Sequence, residues 1–265
     1  MPSLGLDLLF SLGLIIVGYA SYRAKATDVS GSLAAMLIGI IIGFTAGWLW
    51  VIYILVFLVA GSLATHFRYN EKAKLGAAEE KGGRRGVSNV LANGSIALLL
   101  AILYWATKDW YITGMFVAAV ASPAADTMAT EFGLLSKTSP RMITDFTPTQ
   151  PGRSGGITLL GSLVGLATSV IFGILAILMG ITDLSLAAIG IIGGFVGVFL
   201  DSFLGATLQS LYQCYVCQRY TEKKLHCNKP TKRIHGYSLI DNNIVNLLAG
   251  VGAVSSVILL EIFLF

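Results

Sequence analysis

Apolar residues run in long blocks along this chain, separated by polar breaks of very unequal length. The blocks cover about residues 4–22, 31–46, 48–66, 88–106, 111–130, 155–180, 185–208 and 239–264. A helix needs roughly 20 mostly apolar residues to cross a bilayer, and each block meets or nearly meets that length. The pattern predicts an all-α, polytopic transmembrane bundle of about eight spans. The second and third blocks form one apolar run interrupted at Gly43 and Gly47. A single kinked helix there would give seven spans. A hairpin gives eight and keeps the following basic loop on the same side as the others, so the hairpin is preferred.

Charge gives the orientation. Seventeen of the eighteen Lys and Arg residues fall in one alternating set of connections. These are Arg23 and Lys25; Arg68, Lys72, Lys74, Lys81, Arg84 and Arg85; Lys137, Arg141 and Arg153; and Arg219, Lys223, Lys224, Lys229, Lys232 and Arg233. The other set holds only Lys108. The positive-inside rule assigns the first set to the cytoplasm and both termini to the opposite side. Three long cytoplasmic loops follow, 67–87, 131–154 and 209–238, within a single membrane domain spanning 1–265. With 55% hydrophobic residues and a mean hydropathy of +0.77, the chain leaves no room for a soluble catalytic domain. The pI of 8.9 reflects basic membrane loops rather than a nucleic-acid partner. The first block has no basic residue before it and Asp7 near its start, so it reads as a retained span, not a signal peptide. The topology fits a prokaryotic plasma membrane.

A charge inside a bilayer is expensive, so ionisable residues within spans are candidates for function. Asp126, Glu131 and Asp201 lie near the cytoplasmic ends of their spans, as do Asn89, Asn93, Asp241, Asn242, Asn243 and Asn246. Asp7 and Glu261 lie near the outer ends, where interfacial water accounts for them. Arg85, Asn89 and Asn93 recur every four residues, as do Ser122, Asp126 and Thr130, and Asn242 pairs with Asn246; each set lines one helix face. Gly193, Gly197, Asp201, Gly205 and Gln209 mark a stripe of small residues suited to close helix packing, in which the aspartate stands out. The asparagines alone would be explained by interhelical hydrogen bonds. Three carboxylates at one depth instead suggest Mg²⁺, which takes a few carboxylates together with phosphate oxygens and water.

The loop before the sixth span contains Pro151-Gly152-Arg153-Ser154-Gly155-Gly156-Ile157-Thr158. Glycine N–H groups at a helix start form an anion nest, and Arg153 adds charge. Gly82, Gly83, Arg84 and Arg85 form a second basic approach. The last loop contains Cys214-x2-Cys217 and His226-Cys227, four ligands of a type that suits Zn²⁺. The alternative is a thiol-containing loop without metal; a structural disulfide is not expected in a reducing compartment.

Taken together, these motifs resemble the family of transmembrane protein 19 and the plant phytyl-phosphate kinase. The Ala125–Gly133 segment is similar to that family's Ala-Asp-Thr-x-Ala-Ser-Glu-x-Gly signature, with Thr130 in place of Ser. Asp201-Ser202-Phe203-Leu204-Gly205-Ala206-Thr207-Leu208-Gln209 resembles its Asp-Ser-x-Leu-Gly-Ala-Thr-x-Gln block. The glycine turn resembles another motif, with Arg153-Ser154 where Thr-Asn or Thr-Asp is common. The cysteines and Asn242-Asn243-x-Val245-Asn246 follow in the family's order.

The resemblance implies a kinase acting on an isoprenoid monophosphate, with CTP as donor. On this expectation Asp126, Glu131 and Asp201 hold Mg²⁺ across the nucleotide phosphates. Arg84, Arg85 and Arg153, with Gly152, Ser154, Gly155 and Gly156, neutralise the phosphates. Asn89, Asn93, Asn242 and Asn246 orient oxygens and metal-bound water; Asp241 is either a further ligand or a helix cap. Asp126, Asp201, Arg153 and Asn93 are the expected catalytic centre. Alternatives are a nucleotidyl transferase making a CDP-lipid, and a lipid or ion transporter.

Overall fold

In a computed structural model, which describes residues 4–75, 80–218 and 220–264, the apolar blocks become helices close to their expected limits. Arg219 and the side chains of Asp7 and Lys81 lie outside the described set. The helices are α1 (Leu4–Arg23), α2 (Val29–Thr45), α3 (Trp48–His66), α4 (Tyr69–Lys74), α5 (Val87–Thr107), α6 (Ile112–Gly133), α7 (Leu159–Leu178), α8 (Leu184–Thr207) and α9 (Asn242–Leu264). Six of them, α3 and α5–α9, are long and apolar enough to cross a bilayer; α1 and α2 are shorter apolar helices by the same measure. Side-chain caps start several of them. Asp28 accepts from the Gly31 amide (2.9 Å), Thr158 from Gly161 (3.0 Å), Asp183 from Leu186 (2.9 Å) and Asp241 from Ile244 (3.0 Å).

The second and third blocks form a hairpin. The chain turns at Gly47, whose φ of +104° is costly for any residue with a Cβ. Gly39 then meets Val51, and Gly43 lies against the Trp48 ring, so the two helices run back along each other. The single-kinked-helix alternative is set aside on this geometry.

Helix α6 is the axle of the bundle, packed against α3, α5, α7, α8 and α9. Its alanine-rich faces make this crowding feasible; Ala118, Ala121 and Ala125 are wholly buried. The stripe on α8 does what its spacing suggests. A methyl group on Gly190 would strike Val117, on Gly193 it would strike Val257 and Ala118, and on Gly197 it would overlap Ser122. Small residues thus bring α6, α8 and α9 into near backbone contact. One turn beyond Gly197 on α8 lies Asp201, and one turn beyond Ser122 on α6 lies Asp126.

The long connections gather at one end. The turn after α1 pairs with the segment before α5 through Thr27 and Arg85, with Asp28 N–H donating to Arg85 O (3.0 Å) and Arg85 N–H to Ala26 O (3.0 Å). The loop after α6 contains a two-stranded ribbon, β1 (Arg141–Met142) with β2 (Gly156–Ile157). The loop after α8 folds into an antiparallel four-stranded sheet, β3 (Leu211–Cys214), β4 (Tyr220–Thr221), β5 (Leu225–His226) and β6 (Lys229–His235), in the order β4-β3-β6-β5. This small sheet is an addition to the expected helices. The opposite end has short connections tied by Trp110 Nε1 to Asp183 (2.9 Å) and by Thr113 to Thr182 (2.8 Å).

Candidate functional site at the loop face

The loop-face end of the α6–α8–α9 crossing carries the carboxylates. Asp201 on α8 is half-buried, with Asp126 of α6 and Glu222 of the β4–β5 connection as its charged neighbours. All three are acidic, so their charges oppose one another, and a cation among them would relieve that opposition. Helix α9 supplies the polar partner. With its amide turned to suit its surroundings, the Asn246 nitrogen lies 2.9 Å from Asp201 Oδ2 and 3.0 Å from the Asn242 carbonyl. In the opposite amide orientation Asn246 Nδ2 donates instead to Asn93 Oδ1 (3.3 Å), so this one amide serves either Asp201 or Asn93. Asn93 in turn donates to the Asn89 carbonyl (2.9 Å) and to Asn89 Oδ1 (3.2 Å). Adjacent polar side chains thus lead from α5 through α9 to the acidic pair.

That row of side chains ends in a cleft. Helices α1, α2, α3 and α5 line a cleft that is open on one side and walled largely by apolar side chains such as Leu14, Ile38, Ile54 and Leu58. Its polar lining is Arg85, Asn89 and Asn93. The Arg85 guanidinium lies 5.3 Å from the centre of the Phe57 ring and against Gly61, where a larger residue would displace it. The backbone bonds to Ala26 and Asp28 hold its segment in place. Long apolar walls with a cation and two amides at one end suit an amphiphile with an anionic head.

The glycine turn lies beside the end of α8. Gly155 packs on Ala206 so closely that a Cβ would overlap it, and its φ of +81° independently favours glycine. Ser154 donates to Glu222 Oε1 (2.5 Å), joining this turn to the small sheet. Arg153 lies over the Tyr220 ring at 5.7 Å. Asp145, in the same loop, is held below the ordinary carboxylate range by the Thr147 amide and hydroxyl, with Arg153 adding a weaker attraction. The turn is a poorer anion nest than its sequence suggested. The Arg153 and Gly156 amides are already donated to Gln150 and Arg153 carbonyls (3.2 and 2.9 Å). An anion could meet only the remaining N–H groups and the guanidinium.

Several expected residues come together here: Asp126, Asp201, Asn93, Asn89, Asn242 and Asn246 in one connected set, Arg85 at the cleft, and Arg153, Ser154, Gly155 and Gly156 beside α8. Arg84 sits half-buried next to Arg85, and Gly152 is exposed on the turn with φ +79°. The expectation for Glu131 is corrected. Its carboxylate is buried in an ion pair with Lys72 of α4 (2.5 Å), and Lys72 also donates to the Ala64 and Thr65 carbonyls at the end of α3 (both 2.9 Å). A carboxylate so occupied serves packing rather than metal binding. Asp241 caps α9. Glu222 was missed: a lone acid in a basic loop gives no local signal, and only the fold of the sheet brings it to Asp201. Cys214, Cys217, His226 and Cys227 are brought together within the sheet, apart from the carboxylates.

Long apolar helices with exposed large apolar side chains, one loop-rich end and a half-buried polar site define an integral, multi-pass membrane protein. Comparison with known proteins gives the family: the chain belongs to the integral membrane protein family DUF92, whose profile matches residues 12–254. Protein PGR of Arabidopsis thaliana is 29% identical over 88% of each chain. An uncharacterized membrane protein of Methanocaldococcus jannaschii is 31% identical over 71% of this chain and 76% of its own. The chloroplastic protein VTE6 of Arabidopsis thaliana is 25% identical over 74% of this chain and 60% of its own. Relatives thus occur in both a prokaryote and a plant. No solved structure matches the chain.

Proposed function

We propose that this protein transfers a phosphoryl group from a nucleoside triphosphate, with CTP the expected donor, to an isoprenoid monophosphate. The observation that carries the reading is the continuity of an apolar cleft, a basic and amide-lined end, and a carboxylate cluster reached through Asn93 and Asn246. The motif resemblance to the phytyl-phosphate kinase family points the same way. The basic loops make the loop face cytoplasmic on this reading, where nucleotide is available.

The prenyl tail lies in the α1–α2–α3–α5 cleft with its phosphate at Arg85, Asn89 and Asn93. Asp126 and Asp201, with Glu222 near them, have the hard oxygen donors that Mg²⁺ requires. When bound there, Mg²⁺ would neutralise polyphosphate charge. Arg153 and the uncommitted N–H groups of the glycine turn receive the nucleotide phosphates. Asn246 holds Asp201 in position. The acceptor phosphate oxygen forms a bond to the γ-phosphorus as the β–γ bridging bond breaks, giving the prenyl diphosphate and a nucleoside diphosphate. An already anionic nucleophile needs no strong general base, so catalysis rests on alignment and charge stabilisation.

The test is turnover by the purified protein in detergent with Mg²⁺, each of the four labelled triphosphates and a panel of prenyl monophosphates. Label in a prenyl diphosphate with release of a nucleoside diphosphate is the expected result. Release of pyrophosphate would replace the kinase with a nucleotidyl transferase. No transfer from any donor would overturn both and favour transport.

A further inference from the structure

The sheet after α8 poses a problem of stability. Its strands are two to seven residues long, and six of the seven residues of β6 are exposed. Only Leu211, Tyr212 and Cys214 among its strand residues are buried. A unit with so little apolar burial needs another source of order, and metal sites commonly provide one in small folds.

The sulfur and nitrogen atoms supply it. Cys214 closes β3, Cys217 lies in the β3–β4 turn, and His226-Cys227 lies at the β5–β6 turn, yet one ligand atom from each falls within 4.8 Å of all the others. His226 Nδ1 is 3.5 Å from Cys217 Sγ and 3.3 Å from Cys227 Sγ. A tetrahedral zinc with the usual Zn–S and Zn–N bond lengths separates its nitrogen and sulfur ligands by about 3.5 Å. The Val216 amide points at Cys214 Sγ (3.4 Å), a hydrogen bond that supports a thiolate ligand. Gln218, Cys227 and Asn228 adopt left-handed backbone (φ 59°, 52° and 57°), which curls both turns toward one point. Three sulfurs and one imidazole nitrogen at these spacings match zinc in number, chemistry and geometry.

We propose that Cys214, Cys217, His226 and Cys227 bind one structural Zn²⁺ ion, and that this ion anchors the Glu222 loop against Ser154 and Asp201. Glu222 lies between Cys217 and His226, so the metal ties down both ends of the segment that carries it. The sheet is fixed to α8 on its other side by His235 Nε2, 3.1 Å from each of the Ala206 and Thr207 carbonyls, and by Tyr237 N–H to Leu208 O (3.0 Å). The metal-binding half stands by itself; a role for Glu222 in turnover rests on the kinase reading.

The experiment measures metal content of the full-length protein in detergent by mass spectrometry, with hydrogen exchange of residues 211–235 before and after chelation. One zinc per chain is expected, lost in Cys214→Ser and Cys227→Ser and retained in His226→Cys, which keeps four ligands. Cobalt substitution should give the visible bands of a tetrahedral thiolate site. Exchange across the sheet should accelerate on the order of tenfold or more when zinc is removed and return when it is restored. Stoichiometric iron, substoichiometric metal, or a Cys214–Cys217 disulfide would overturn the site. Bound zinc whose removal leaves exchange around Glu222 unchanged would overturn the anchoring role. None of these readouts depends on phosphoryl transfer, so failure of the kinase reading would be seen separately.

Discussion

Asp126 and Glu131 lie on the same helix, little more than one turn apart, and the structure treats them in opposite ways. Glu131 faces Lys72, whose three N–H donors are spent on that carboxylate and on two carbonyls at the end of α3. The charge is balanced, buried and complete. Asp126 faces Asp201, another acid, with Glu222 close by and an amide as the polar contact of Asp201. A carboxylate with its own lysine is a fastening. Carboxylates that face one another repel, and a cation between them would relieve that repulsion. Exposure separates the two cases as well: the Lys72 and Glu131 side chains are 1% and 5% exposed, while Asp126 and Asp201 are only half-buried.

The sharpest way to break this comparison is to neutralise one acid of each kind. Asp201→Asn should lower turnover about a hundred- to thousandfold while the thermal midpoint and monodispersity in detergent hold. Glu131→Gln should do the reverse, destabilising the protein by about 3 kcal/mol because it leaves a buried lysine without its counter-charge. A Lys72→Met/Glu131→Leu double variant should recover most of that loss, since apolar residues can replace a buried pair. Were Glu131→Gln stable and inactive, the ion pair would not be its main role.

Gly155 sharpens the same contrast for backbone. Gly155→Ala meets both a left-handed φ and the Ala206 side chain, so the β1–β2 loop must shift from α8. The expected cost is about 1–3 kcal/mol, with a fall in affinity for nucleotide as Arg153 moves. A thermal-shift series with and without nucleotide separates the two effects. Asn246→Ala is a smaller change. It removes the amide that orients Asp201 without removing any charge, and turnover should fall about 10- to 100-fold with little change in KM for the donor.

The long helices were legible because each is set by a nearly continuous apolar run, and α2, α7, α8 and α9 begin at a side-chain cap. Where the limits moved, a competing structure explains it. The sixth block was expected from residue 155, but Gly156–Ile157 pairs with Arg141–Met142, so α7 waits for its Thr158 cap. The last block was expected from 239, but the loop returning from the sheet runs to Asp241, which caps α9. The Asp126–Asp201 meeting was readable from the glycine spacing on α8 together with the four-residue repeat on α6. What escaped depends on contacts distant in sequence. Lys72 sits in a short, polar helix with no periodicity to mark it as buried. Glu222 reaches Asp201 only because the strands between Leu211 and His235 fold back on α8. The glycine turn looked like a free anion nest because sequence cannot show that two of its amides are spent internally.

The smallest expected effect tests the boundary of the site. Asp241 is an acid at the same end as Asp126 and Asp201, and from sequence it could have been a further ligand. In the structure its Oδ1 accepts from the Ile244 amide at 3.0 Å, the position and geometry of a helix N-cap. A cap needs a short side chain with an acceptor oxygen, not a negative charge. Asp241→Asn should therefore keep both stability and turnover, whereas Asp241→Ala should cost about 1 kcal/mol of stability and leave the metal dependence of turnover unchanged. The comparison with Asp201→Asn is the informative one, because the same chemical change is made at two acids on the same face. If the asparagine variant at 241 were as inactive as that at 201, with a raised Mg²⁺ requirement, the cation site would extend onto α9 and the division between fastening and binding carboxylates would have to be redrawn.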